Sequence, residues 1–161
     1  MLGKKLEAAF NDQIKHELYS AYLYLSMAAQ FEAENLPGFA NWMKKQAAEE
    51  QEHAMKFFDF INERGGRVTL QAIDQPAAEF GAPVEVFTAV LEHEQLVTSL
   101  IHGLYKLAIE EQDYASQSFL KWFIDEQVEE EANASLILET LKKIGDKGHA
   151  IFMLDHKLGE R

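Results

Sequence analysis

The sequence predicts an all-α protein: a bundle of four long helices with a long crossover in its middle and a short fifth helix at its end. Three observations carry that reading. Apolar residues recur at three- and four-residue steps through four stretches of about thirty residues each. Breaks between these stretches are marked by Asn35-Leu36-Pro37-Gly38, Gly65-Gly66, Gln112-Asp113 and Gly145. One connection, residues 67–82, is much longer than the other two and sustains no helical stripe.

The first helix, α1, is expected over residues 4–34. It contains no Gly or Pro and places Leu6, Phe10, Ile14, Leu18, Ala21, Leu25 and Ala28 on one face. Pro37 suits the first turn of α2, expected over residues 37–64 and stopped by Gly65-Gly66. So short a link makes α1 and α2 antiparallel neighbours. Residues 67–82 hold Pro76, Gly81 and a short extended-looking piece at Val68-Thr69-Leu70. Helix α3 follows over residues 83–111, with Val84, Phe87, Val90, Leu91, Val97, Ile101, Leu104 and Ala108 toward the core. Helix α4 spans residues 114–145 and carries Phe119, Leu120, Phe123, Ala134, Ile137, Leu138 and Leu141. Gly148 precedes α5, residues 149–158. At about 1.5 Å per residue each long helix measures roughly 42–48 Å. A 16-residue connection reaches about 53 Å when extended, so it can cross the whole bundle and let α3 run parallel to α2.

A chain of 161 residues is expected to form one domain over residues 1–161, with a sizeable core. Its composition, 47% hydrophobic with three prolines, suits helices. A formal net charge of −12 argues against nucleic acid and anionic membrane as partners and is compatible with attracting cations. The absence of cysteine excludes disulfides, thiolate zinc sites and cysteine-ligated iron–sulfur clusters. The start, Met1 to Glu7, has no apolar signal core and no run reaches transmembrane length, so the cytoplasm is the expected location.

The chemistry lies in polar residues that interrupt the apolar stripes. On α2, Phe39, Trp42, Met43, Gln46, Glu50, His53, Phe57, Phe60 and Ile61 share one face, so Glu50 and His53 point toward the core. Glu17 falls on the Phe10–Ile14–Ala21 face, Glu94 on Phe87–Leu91–Ile101, and Gln127 with Glu130 on Phe123–Ala134–Ile137. The pattern is duplicated. Glu17 precedes Glu50 by 33 residues, as Glu94 precedes Gln127. A shift of 77 places His16-Glu17 on His93-Glu94, Glu49-Glu50 on Glu126-Gln127, and Glu52-His53 on Glu129-Glu130. The two halves therefore read as copies of one helical hairpin, each with its polar residues at the same level of the bundle.

Two carboxylates about 4 Å apart repel by ~4 kcal/mol at a protein-like effective dielectric of about 20. Four of them in one core drive each other toward protonation. Two remedies are open: a polar layer held by water and shared protons, or a pair of divalent cations. Four coordinated interruptions with a duplicated spacing favour the cations. Carboxylates with one imidazole suit iron or manganese better than copper, and zinc normally takes fewer oxygens.

With these residues in place, the chain resembles the prokaryotic non-haem ferritins, and the resemblance covers essentially all 161 residues. Its specificity rests on the combination of Glu17, Tyr24, Glu49-Glu50-x-x-His53, Glu94 and Glu126-Gln127-x-Glu129-Glu130. It implies a ferritin-like four-helix bundle with a long crossover between α2 and α3. It also implies a ferroxidase that stores iron. Two Fe(II) ions would bind, O2 or H2O2 would take their electrons, and a paired Fe(III) product would leave for a mineral core. By this resemblance Glu17, Glu50 and His53 hold the first iron, and Glu50, Glu94 and Glu130 the second, with Glu50 bridging. Gln127 stands beside the pair, while Glu49, Glu126, Glu129 and Glu130 match a third iron site.

The family places a redox-active tyrosine where this chain has Tyr24. For Tyr24, and for Trp122 as a second electron source, core packing is the alternative. Bacterioferritins carry a haem-binding Met after the α2 glutamate. Here Gln51 stands there, so no haem is expected, and Met27, Met43 and Met55 are assigned to core or subunit contacts. In α5, Ala150-Ile151-Phe152-Met153-Leu154 is apolar nearly all round, which calls for burial beyond one bundle. Similar ferritins close into a hollow shell of twenty-four subunits. His149 and His156 are expected to be structural or surface residues. Two rivals remain: a di-iron oxidase or peroxidase without storage, and a structural bundle that binds no metal.

Overall fold

The computed structural model describes residues 1–145 and 147–161. Five helices follow in order: α1 Lys4–Ala33, α2 Pro37–Glu63, α3 Pro83–Glu110, α4 Tyr114–Ile144 and α5 Gly148–Leu158. There is no strand among the described residues, so the Val68-Thr69-Leu70 piece is extended backbone without a sheet. No helix among them is long and apolar enough to cross a membrane.

The two hairpins turn alike. Asn35 and Gln112, 77 positions apart, both adopt the left-handed conformation, with φ of 59° and 54°. In each case the next backbone N–H reaches back into the preceding helix: Leu36 to the Phe31 carbonyl and Asp113 to the Ala108 carbonyl, both at 2.9 Å. These are the bonds that satisfy orphaned C-terminal carbonyls. The duplication in sequence thus extends to backbone geometry at the turn.

Side chains of α1 direct the crossover. Asn11 acts as a clamp: its amide donates to the Arg67 carbonyl at 3.0 Å and its oxygen accepts from Thr69 N–H at 2.6 Å. Further along, Ser26 donates to the Ala77 carbonyl at 2.6 Å, and Gln30 accepts from Phe80 N–H and donates to the Gly81 carbonyl, both at 2.7 Å. From Asn11 to Gln30 is roughly 28 Å of helix. The connection therefore climbs α1 and delivers α3 at the far end, parallel to α2.

Two apolar clusters fill the bundle. One contains Tyr24, Met27, Phe31, Phe39, Met43, Phe87 and Ile137, and the other Leu6, Phe10, Phe57, Ile61, Ile101 and Phe123. Between them lies a buried polar layer that includes Gln13, Glu17, Gln46, Glu50, His53, Glu94, Gln127 and Glu130. This layer corrects one expectation. Leu25, placed on the core face from its spacing, is exposed, and Leu18 and Ala21 are only half-buried. The buried line of α1 instead runs through Gln13, Glu17, Ser20, Tyr24 and Met27. Polar residues occupy the stripe where the layer crosses it, so apolar residues alone trace the wrong line.

Helix α5 docks on the start of α2. Asp155 is buried and accepts from Phe39 N–H at 2.9 Å, filling a donor left free at that helix N-terminus. Contact is close enough that a Cβ on Gly38 would lie 1.6 Å from the Asp155 carbonyl oxygen. Only glycine fits there.

Candidate metal centre

The central side chains reach the layer from four helices: Glu17 and Tyr24 from α1, Glu50 and His53 from α2, Glu94 from α3, and Gln127 and Glu130 from α4. All seven are buried. Glu17, Glu50 and His53 form one group whose ligating atoms lie within 4.8 Å of one another. Nδ1 of His53 is 3.4 Å from Oε2 of Glu50. A second group is His53, Glu126 and Glu130, with the same spread of atoms. Glu126 is partly exposed, and its Oε1 lies 3.9 Å from Nε2 of His53.

Glu94 joins neither group among the described residues. Tyr24 donates its phenol to Oε1 of Glu94, and the Gln127 amide donates to Oε2 at 3.2 Å. That amide is also 3.2 Å from the Glu94 carbonyl and 3.3 Å from Thr98 Oγ1. Glu130 accepts from Gln46 at 2.8 Å. Glu17 takes one bond, from Gln13 at 2.9 Å, while its other oxygen is buried with no hydrogen-bond partner. A buried carboxylate oxygen left unpaired is costly, and Glu17 is gathered with Glu50 and His53.

The electrostatics follow from crowding. Burial pushes Glu17 well above the usual carboxylate range, and the Glu50 charge adds to it. Glu50 is raised well above that range by burial, then by Glu94 and Glu130. Burial also raises Glu94, although the bonds from Tyr24 and Gln127 pull the other way. Glu130 is pushed up to about 7 by burial and by Glu94. Tyr24 is raised well above its ordinary value by burial, then by Glu94 and Glu50. Without a cation, such a layer holds protons at neutral pH. The donor set of carboxylate oxygens and one imidazole fits a hard or borderline divalent ion.

At the rim, Glu49 is half-buried and accepts from Arg161, Glu129 is exposed, and neither joins a group among the described residues. Glu52 and Gln51 are also exposed. Trp122 packs edge-on to His53 at 5.4 Å, beneath the Lys56 ammonium. Met27 and Met43 are in the core, Met55 is exposed, and His149 and His156 lie on the surface. Gln13 and Gln46, which apolar periodicity does not single out, are donors to the carboxylates. A signal was available, because each precedes a glutamate of the layer by four residues and the two are themselves 33 residues apart.

The chain is similar to known proteins over its whole length. The ferritin-like domain family matches residues 7–144. A bacterial non-heme ferritin of Bacteroides fragilis is 47% identical over 161 residues, covering all of both chains. Its counterpart in Staphylococcus aureus is 41% identical, covering all of this chain and 97% of that one. Among solved structures, an open pore ferritin from the hyperthermophilic archaeon Archaeoglobus fulgidus superposes with a TM-score of 0.99 at 49% identity, covering all of this chain and 99% of the other. The fold and the buried layer define a ferritin-like four-helix bundle protein. The chain belongs to the ferritin family.

Proposed function

We propose that this protein oxidises Fe(II) at the buried centre and stores the Fe(III) product inside a closed shell of its own copies. The observation that carries the reading is the orphaned Glu17 oxygen, held beside Glu50 and His53 in a layer that burial drives toward protonation. Iron is the substrate here. Glu17, Glu50 and His53 would take one Fe(II), and Glu50, Glu94 and Glu130 a second, so that Glu50 is shared. Gln127 keeps Glu94 oriented. Binding requires the carboxyl groups to give up their protons, so uptake releases protons and strengthens as pH rises.

Two adjacent ions supply two electrons, enough to reduce O2 to H2O2 or H2O2 to water, and anionic oxygen ligands favour the Fe(III) product. Tyr24 would supply a further electron: its phenol proton already points at Glu94, which can accept it as the electron leaves. Trp122 suits this role less, because the Lys56 ammonium over its ring opposes loss of an electron. Glu49, Glu126 and Glu129, with Glu130, would form a third site at the rim. Glu126 is already gathered with Glu130 and His53.

Storage requires assembly. Phe152 and Met153 on α5 are about two-thirds exposed, beside a cleft of 680 Å³ lined by α4 and α5 residues including Leu136 and Met153. Apolar surface of this kind marks an interface, and a twenty-four-subunit shell acting in the cytoplasm fits it. The test is to add Fe(II) aerobically to metal-free protein and follow oxidation, retained iron and particle size. Rapid oxidation with iron retained far beyond two atoms per chain in a large particle is expected. Fast oxidation with only two ions retained would point to a di-iron oxidase without storage, and oxidation no faster than in buffer would remove the ferroxidase.

A further inference from the structure

Arg161, beyond the end of α5, reaches back to the rim of the centre. Asn41 holds the end of α5 against α2, its amide lying 3.4 and 3.5 Å from the carbonyls of Leu158 and Gly159. This delivers Arg161 onto one face of α2, where it meets two side chains seven residues apart. Its Nη2 donates to Oε2 of Glu49 at 2.6 Å, and its guanidinium lies 4.9 Å from the centre of the Trp42 ring. The Arg161 side chain is 28% exposed and Glu49 41%. An exposed ion pair alone contributes little. A guanidinium that also stacks on an indole is held in place, because the planar fork suits both partners at once.

We propose that Arg161 is a built-in competitor cation: it occupies Glu49 until a metal ion displaces it, so that the third site fills only after the buried pair. This rests on the assignment of Glu49 to the third site. A metal and the guanidinium repel each other and compete for the same carboxylate oxygen, so the ion must expel the arginine before Glu49 can ligate. Nothing in the buried pair requires that step: among the described residues the ion pairs and side-chain hydrogen bonds of Glu17, Glu50 and His53 involve no lysine or arginine. Expulsion is local, because only the side chain has to swing. Trp42 loses its cation in the process and therefore reports it.

The experiment is an anaerobic Fe(II) titration of the assembled, metal-free protein by calorimetry, with Trp42 emission followed in a Trp122→Phe background. Arg161→Gln is expected to tighten the weakest-bound ion about tenfold, equivalent to ~1.4 kcal/mol, and Arg161→Lys to tighten it less. Trp42 emission should change as that ion binds to the parent protein but not to Arg161→Gln. Glu49→Gln separates this inference from its premise. If it leaves the number of bound ions unchanged, the third site is absent and the competitor role falls with it. If it removes one ion while Arg161→Gln leaves that ion's affinity unchanged or weaker, the third site stands and the competitor role alone is wrong.

Discussion

The hairpin of α1 and α2 and the hairpin of α3 and α4 share a turn geometry and a ligand spacing, yet they treat their carboxylates differently. Glu17 in the first hairpin receives a bond from Gln13 on its own helix and keeps one oxygen free. Its counterpart Glu94 has both oxygens held, one by Tyr24 and one by Gln127. The positions that match Gln13, Gln46 and Tyr24 in the second hairpin are Val90, Phe123 and Ile101, all apolar. The first hairpin therefore provides most of the donors, with Gln46 and Tyr24 reaching across to Glu130 and Glu94, while the second adds Gln127, which bonds Glu94. Duplication copied the ligand positions, while Gln13, Gln46 and Tyr24 have no matching donors in the second hairpin. A polar layer favours pairing of each buried group, and donors on one hairpin can serve carboxylates on the other.

This difference implies unequal sites. The group of Glu17, Glu50 and His53 is gathered and has an oxygen to spare, so it should bind the first ion. The Glu94 side must accommodate its ion while keeping two donors satisfied. Glu50 belongs to both, so the largest effect is expected from Glu50→Ala. Rapid oxidation should fall by about a hundredfold or more, since even outer partners of ligands cost up to about that factor. Stopped-flow absorbance measures this, and light scattering should show particle size unchanged. Unchanged initial rates would take Glu50 out of the mechanism.

The next effect is on stability. Glu130 is raised from 4.5 to about 7 in the folded protein, so the native state binds more protons than the unfolded chain between those values. The contribution of Glu130 to the stability of the metal-free protein is then full below about pH 4.5 and is lost as pH rises toward 7. For this group alone the loss is about 3 kcal/mol, at roughly 1.4 kcal/mol per pKa unit. Denaturant melts at pH 5 and pH 8 should show it, and saturating divalent metal should close the gap. A metal-free protein equally stable at both values would argue against a protonated layer.

A smaller effect comes from making the first hairpin like the second. Gln13→Val copies Val90, strips Glu17 of its only donor and should weaken the tighter ion about tenfold to a hundredfold by calorimetry. If the weaker ion responds instead, the assignment of hairpins to ions is reversed. Smallest is Tyr24→Phe, which removes one hydrogen bond to Glu94. A two- to tenfold change in affinity for the second ion is expected, from about 0.5–1.5 kcal/mol per bond. The same variant should lose any tyrosyl radical seen by electron paramagnetic resonance during oxidation. A persistent tyrosyl signal would move the electron source elsewhere.

The architecture was legible because it is written locally. Caps, Gly and Pro breaks and three- to four-residue periodicity are properties of neighbouring residues, and the crossover announced itself by length. Glu17, Glu50, His53, Glu94, Gln127 and Glu130 were legible as interruptions of apolar stripes. The same interruptions misled the reading of Leu25, because a line drawn through apolar residues swerves around the polar layer. Contacts between distant positions were not legible. The clamp of Asn11 on the crossover, the seat of Asp155 on Phe39 N–H and the grip of Arg161 on Glu49 join residues 56 to 116 positions apart. No periodicity encodes such pairs. Tyr24 could be placed on the Glu17 face by counting, but its partner proved to be Glu94, on another helix.

The central claim is that residues from both hairpins hold two iron ions on either side of Glu50. Crystals loaded anaerobically with Fe(II) and measured at the iron absorption edge test it most directly. Two anomalous peaks per chain are expected flanking Glu50, one against Glu17 and His53 and the other against Glu94 and Glu130. A single peak at the centre, or density only between His53 and Glu126, would contradict the account.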